Sequence, residues 1–268
     1  MNAPQTFEFT QGDSPLLVSM PHVGEQVPSE ILANFTQRGQ ALPDTDWYVH
    51  RLYDFLPSLG VSSIQANYSR YLIDLNRSPD NKSLYPGQNV TQICTTSLFD
   101  NQPLYVAGTE PSAADIAQRT TQYWQPYHQK VEEELARIKQ RFGYALLWDA
   151  HSIKNIVPRF FDGQLPDFNW GNANHRASSA ELLNSLHETV LAQGDYSSVC
   201  NGRFKGGYIT RQYGSPEHHI HAVQLELSQI TYMPDQNSFE YSEQRAAQVK
   251  PLIKKLVQQM ISHPFTRD

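Results

Sequence analysis

Leu146-Leu147-Trp148-Asp149-Ala150-His151-Ser152 is an apolar run that breaks abruptly into Asp-Ala-His. An earlier run, Leu16-Leu17-Val18-Ser19-Met20, breaks in the same manner into Pro21-His22. Both have the length and continuous hydrophobicity of buried strands. Two histidines at the carboxyl ends of two such strands lie where open α/β sheets build their sites. Neutral imidazole is the commonest protein ligand for metals, and catalytic zinc usually takes two or three histidines with an acid, leaving one position open. A plain hydrogen bond at a strand end explains either histidine alone equally well, and the pair less well.

Around these strands, helical and strand-like segments alternate. Val49, Leu52, Tyr53, Leu56 and Leu59 are spaced as one helical face, and Gly60 stands where a helix C-cap belongs. Val61 to Ala66 and Tyr71 to Leu75 read as two further strands joined by a short polar turn. From Asn76 to Pro111 the chain is dense in Pro, Gly, Asn and Ser, and a long irregular segment in a compact domain is usually functional. Ile116, Thr120, Tyr123, Tyr127, Val131, Leu135 and Ile138 recur at threes and fours, which predicts a long amphipathic helix. After the strand into His151 come a polar loop to about Ala177 and a helix on Leu182, Leu183, Leu186 and Val190. A short strand around Val199, a Gly-rich loop and a strand from Ala222 to Leu227 follow. A last helix carries Val249, Leu252, Ile253, Leu256 and Met260, with Pro251 kinking it or marking its start. The alternation predicts one three-layer α/β/α domain over residues 1–268, with a mostly parallel central sheet covered on both faces.

Composition narrows the function classes. Hydrophobic residues make up 39% and charged residues 18% of the 268, as in ordinary globular proteins. A net charge of -6 argues against nucleic acid or an anionic membrane as the main partner. No apolar run approaches the length of a membrane span. The start, Met1-Asn2-Ala3-Pro4-Gln5, has neither a basic nor an apolar signal region, so the expected location is cytoplasmic. There Cys94 and Cys200, without CxxC spacing, read as free thiols. The 14 Tyr and 17 Pro suggest a loop-rich, aromatic-lined site.

Candidate chemistry collects at strand ends and loops. His22-Val23-Gly24-Glu25 has an HxxE spacing that several zinc hydrolases use, and Glu25 also reads as a solvated loop acid. A rival oxygen ligand is Asp46 in Asp44-Thr45-Asp46-Trp47, which also reads as a first-turn carboxylate favoured by a helix dipole. Arg70 and Arg77 flank the segment Tyr71 to Asn76, and guanidinium forks match carboxylates bidentately, so an acidic small-molecule substrate is implied. The alternative for Arg70 is an ion pair with Asp74 or Asp80. In Asn201-Gly202-Arg203-Phe204-Lys205-Gly206-Gly207, the glycines allow close backbone approach while Arg203 and Lys205 supply charge, although a hairpin with solvated cations fits the same pattern. Glu226 sits inside an apolar run, where desolvation raises its pKa and suits it to general-base work; a Glu paired with a buried Arg is the structural alternative. Glu217-His218-His219-Ile220-His221 reads as polar surface rather than a primary ligand set. No G-x-S-x-G elbow is present, so a serine triad is not indicated.

Ser19-Met20-Pro21-His22, Asp44-Thr45-Asp46-Trp47, Tyr68-Ser69-Arg70-Tyr71, Asp74-Leu75-Asn76-Arg77, Leu84-Tyr85-Pro86-Gly87, Trp148-Asp149-Ala150-His151-Ser152, Gly202-Arg203-Phe204-Lys205-Gly206-Gly207 and Gln224-Leu225-Glu226-Leu227 occur in this order. Together they resemble the N-formylglutamate amidohydrolase family over about residues 10 to 260. The resemblance implies hydrolysis of N-formyl-L-glutamate to formate and L-glutamate in histidine degradation, and a distant fold relation to zinc carboxypeptidases and aspartoacylase-type deacylases. It implies a divalent metal, zinc by preference, on His22, Asp46 and His151, with Glu25 as the carboxypeptidase-type alternative to Asp46. Glu226 is then the general base. Asn76 and Arg77 hold one substrate carboxylate and Arg203 or Lys205 the other, with Arg70 as a further substrate contact. Two other classes stay open: a metallo-deacylase or carboxypeptidase for another N-acyl amino acid, and a non-catalytic carboxylate-binding protein. The oligomeric state is not indicated.

Overall fold

A computed structural model describes residues 5–82, 91–235 and 238–265; the Leu84-Tyr85-Pro86-Gly87 motif lies outside them. Seven strands form one sheet: β1 (Phe7–Thr10), β2 (Leu16–Met20), β3 (Ser62–Ala66), β4 (Ala145–Ile153), β5 (Phe168–Gly171), β6 (Ser198–Cys200) and β7 (Ile220–Ser228). Their order is β1-β3-β2-β4-β7-β5-β6. Pairs β3-β2, β2-β4, β4-β7 and β5-β6 are parallel, while β1-β3 and β5-β7 are antiparallel. The mostly parallel expectation therefore holds in the centre of a mixed sheet. β4 is buried along all nine residues, as a central strand between two helical layers must be.

The helices are α1 (Ser29–Leu32), α2 (Gln37–Gln40), α3 (Val49–Leu52), α4 (Ala113–Arg119), α5 (Gln125–Phe142), α6 (Ala180–Gln193), α7 (Tyr208–Tyr213) and α8 (Glu243–Ser262). On one sheet face, Leu16, Val18, Leu146, Trp148, Val223 and Leu225 pack with α3, α6 and α8. On the other, Leu17, Ile64, Leu147 and Ala222 pack with α5 and α7. Strand side chains alternate between faces, and both sides of β4 are apolar at its start, so each needs a helical layer. Burying each Leu, Val or Ile contributes on the order of 1.5–3 kcal/mol.

Several sequence expectations need correction. Tyr71 to Leu75 is not a strand: it is buried but irregular and pairs with no sheet neighbour. Arg70 and Arg77 thus flank a turn-rich segment. The helix expected from Val49 to Leu59 is a short α3 followed by a 3-10 turn, Leu56–Leu59, which Gly60 closes at φ 63. The helix through Ile138 is present, but Thr120–Trp124 forms a π-turn between α4 and α5. Pro251 does not start α8, which begins at Glu243 with Ser242 capping Arg245. The polar loop before Ala177 contains β5, and the Gly-rich loop runs into α7. Cys94 and Cys200 are free. Among the described residues, no helix is long and apolar enough to cross a membrane.

Candidate active site

The register of β4 against β7 positions the chemistry. Asp149 lies opposite Gln224, and His151 opposite Glu226. These four share the sheet face that carries Ala145, Leu147 and Ala222 further down, so one face runs from apolar packing under α5 to a polar carboxyl end. Neighbouring β2 ends at Met20, and His22 follows two residues later. His219 and His221 lie at the opposite end of β7, where Ala145 pairs with Ile220, and the sheet keeps them away from this site.

Asp46 arrives from the loop before α3, where its N–H donates to the carbonyl of His22 at 3.1 Å. Its Oδ2 accepts from the Ser152 N–H at 3.1 Å and lies 2.9 Å from His151 Nδ1. His22 Nδ1 faces the same oxygen at 3.8 Å and is buried without a hydrogen-bond partner. One donor atom from each of His22, Asp46 and His151 falls within a common 4.8 Å span, with all three residues buried. The far nitrogens are tethered: His22 Nε2 to Asp74 Oδ1 at 2.7 Å, and His151 Nε2 to Asp149 Oδ2 at 3.1 Å. A carboxylate on the remote ring nitrogen is how ligating histidines are normally oriented, so both Nδ1 atoms turn toward Asp46. Asp46, Asp74, Asp149 and Glu226 are all buried, with Arg70 among them. Buried carboxylates need compensating positive charge, and a divalent cation between the imidazoles would add to what Arg70 supplies. The orphaned Nδ1, the converging donors and this charge fit a metal. Glu25, the HxxE alternative, is instead exposed in a separate hollow with His50 and Gln65.

Over residues 14–233 the chain matches the family model for N-formylglutamate amidohydrolase. The chain belongs to the N-formylglutamate amidohydrolase family. It is 48% identical over 259 residues to the N-formylglutamate deformylase of Pseudomonas aeruginosa, covering 96% of this chain and 97% of that protein. Identity to the N-formylglutamate deformylase of Pseudomonas putida is 45% over 258 residues, covering 96% of each. Among solved structures, N-formylglutamate amidohydrolase from Ralstonia eutropha JMP134 superposes with a TM-score of 0.83 at 20% identity, covering 96% of this chain and 98% of that one. The chain is thus an amidohydrolase by family, and its fold is that of the solved relative.

In this amidohydrolase the histidines and Glu226 open onto a cleft of about 590 Å³, measured with its mouth. Arg70, Arg77, Arg203, Asn76, Phe99, Phe160 and Phe204 line it with them. Burial, and next the charge of Arg70, lower the His22 pKa, which favours the neutral ring that ligates metals. Burial also opposes charge on His151, but Asp149 and Asp46 outweigh it and raise its pKa. Glu226 is pushed up to about 8, chiefly by burial.

The expected substrate residues differ in how they stand. Arg70 is buried, 3.0 Å from Asp74 Oδ2 and 3.6 Å from Asp46 Oδ1, so its ion-pair alternative is real and coexists with a place in the cleft wall. Arg77 donates to the carbonyl and hydroxyl of Thr91 and to its neighbour's carbonyl, which uses three of its five N–H donors. Asn76 Nδ2 lies 2.9 Å from His151 Nε2 and 3.3 Å from Asp149, and its Oδ1 accepts from Ile209 N. It braces the site more than it reaches outward. Arg203 lies over the rings of Phe160 and Phe204 at the cleft wall. Lys205 is not among the residues that line the cleft, contrary to expectation.

The sequence reading missed Asp149 as an orienting group and gave Asp74 only as an ion-pair partner. Asp149 was findable, since it lies two residues before His151 and therefore on the same strand face. Gln224, which accepts the Gly207 N–H at 2.6 Å, stands in the same relation to Glu226. Asp74 lies in an irregular segment where no period announces which way a side chain points.

Proposed function

We propose that this chain hydrolyses N-formyl-L-glutamate to formate and L-glutamate, using a divalent metal held by His22, Asp46 and His151. The observation that carries the proposal is the buried His22 Nδ1, without a partner and aimed with His151 at Asp46, at the wall of a cleft that also holds Glu226 and three arginines. When bound, a metal such as zinc, which suits two imidazoles and a carboxylate, supplies Lewis acidity toward water and the formyl carbonyl.

The chain's own groups do the rest. Glu226 takes a proton from the attacking water as its oxygen bonds to the formyl carbon, and returns that proton to the glutamate nitrogen as the C–N bond breaks. A pKa raised by burial suits a carboxylate to both halves of that transfer. Arg70 faces the developing oxyanion, held rigid by Asp74 and Asp46. Arg77, steadied by Thr91 and by Asn76, meets one substrate carboxylate, and Arg203 meets the other. The formyl group is tiny, so most binding comes from the glutamate half. Phe99, Phe160 and Phe204 exclude water around it. The relatives' names support the substrate; a cytoplasmic role in histidine degradation is a further part of the proposal.

Steady-state assays with formyl-, acetyl- and peptide-linked glutamate test the reading. The formyl substrate is expected to be preferred by at least ~10-fold in kcat/KM, since a pocket sized for hydrogen penalises an added methyl group by about 1–3 kcal/mol. Preference for the acetyl or peptide substrate would replace it with the broader deacylase reading.

A further inference from the structure

The segment that carries Asn76 and Arg77 has no sheet partners, yet three of its carbonyls meet one helix. Arg119 Nη1 donates to Leu72 O at 3.1 Å. His128 Nε2 lies 2.8 Å from Leu75 O, and Trp124 Nε1 donates to Arg77 O at 3.0 Å. A carbonyl only accepts, so Nε2 of His128 carries the proton and Nδ1 accepts from the Tyr213 hydroxyl at 2.7 Å. Trp124 and His128 stack at 3.7 Å between centroids, and both are buried.

The π-turn makes this possible. An extra residue in one turn advances a helix face by about 100°. Arg119 is the last residue of α4 before the π-turn, Trp124 is its last residue, and His128 lies one α-turn further on. From these positions the three reach the carbonyls of Leu72, Arg77 and Leu75 respectively. Trp124 and His128 thereby bracket Asn76-Arg77: His128 fixes the Leu75 carbonyl before the pair, and Trp124 the carbonyl of Arg77 at its end.

We propose that Trp124 and His128 are positioning residues for substrate binding. They act through the backbone of Asn76-Arg77 to aim the Arg77 fork at a carboxylate and to keep Asn76 against His151. The inference rests on the function proposed above. Neither side chain lines the cleft, so neither is catalytic.

Trp124→Phe is the deciding variant, because it keeps a ring against His128 and removes a single N–H. We expect KM for N-formyl-L-glutamate to rise ~5–10-fold, on the scale expected when a binding group is displaced by a fraction of an ångström. Metal content stays at the wild-type level, and discrimination against analogues with one carboxylate converted to an amide narrows. His128→Leu shows a larger loss, and His128→Gln, whose amide N–H can reach Leu75 O, recovers part of it. Unchanged KM and discrimination in Trp124→Phe would overturn the inference. So would an equal loss on the diacid and amide substrates, the mark of general loosening. Wild-type turnover of N-formyl-L-glutamate is the control: without it the function itself fails, whereas intact wild-type turnover with unaltered variants removes the positioning role alone.

Discussion

Glu226 shows how one residue can announce chemistry. A carboxylate inside an apolar strand needs either a partner or a task, and here it stands opposite His151 in the register of β4 and β7 with its pKa pushed up to about 8 by burial. Glu226→Gln keeps the shape and removes the proton acceptor. Its kcat is expected to fall by at least ~10²-fold while metal content and KM stay close to wild type. Loss of metal in that variant would make Glu226 a ligand. At Arg77, the Lys substitution keeps charge but loses the fork, whose bonds to Thr91 hold it in place. KM is expected to rise, and discrimination against a one-amide analogue to weaken; wild-type kinetics on both substrates would assign carboxylate recognition to Arg203 instead. His22, His151 and Glu226 were legible because polar groups interrupt or end apolar strands. Asp74 was not, because its role exists only once its segment folds back onto His22.

Among the elements, what could be read were periodicities, and what could not were segments buried without one. Tyr71 to Leu75 looks like a strand because it is apolar, but its carbonyls are met by Arg119 and His128 rather than by a neighbouring strand. β1 and β5, four residues each, are too short to show a pattern. The π-turn leaves no trace in a hydrophobic repeat of threes and fours. Its consequence is testable through pH. The His128 pKa is lowered to about 4 from the ordinary 6.5, chiefly by burial. Between those values the unfolded chain binds a proton that the folded chain refuses, so this stability is whole above about pH 6.5 and drains as pH falls toward 4. The loss amounts to roughly 3 kcal/mol. Urea unfolding at pH 7 and pH 4.5 is expected to show a smaller difference in His128→Gln than in wild type, and an equal difference would refute the assignment. On the loop before α7, a Cβ added to Gly207 would lie 2.3 Å from Asn76 Nδ2. Three hydrogen bonds hold that amide, so Gly207→Ala is expected to cut kcat/KM by ~10²-fold with the fold retained. Near wild-type activity there would show that Asn76 has room to move.

Across the whole molecule, the parallel centre of the sheet gathers β2, β4 and β7 with their carboxyl ends together, and the site forms where those ends meet loops from elsewhere in the chain. The three-layer architecture was legible from the alternation of strands and helices, while the antiparallel β1 and β5 were not, since nothing in a strand's composition states its direction. A net charge of -6 identifies no substrate; the arginines lining the cleft point to an anionic one. A cation bound by His22, Asp46 and His151 would also link the site to stability, because ligands that prefer the folded state raise it by mass action. Metal analysis of purified wild type and His151→Ala, paired with turnover of N-formyl-L-glutamate, bears most directly on the metal-assisted account. About one divalent ion per chain is expected in wild type, with nearly complete loss of both metal and turnover in the variant while its circular dichroism stays native. Full metal content in His151→Ala would contradict the account.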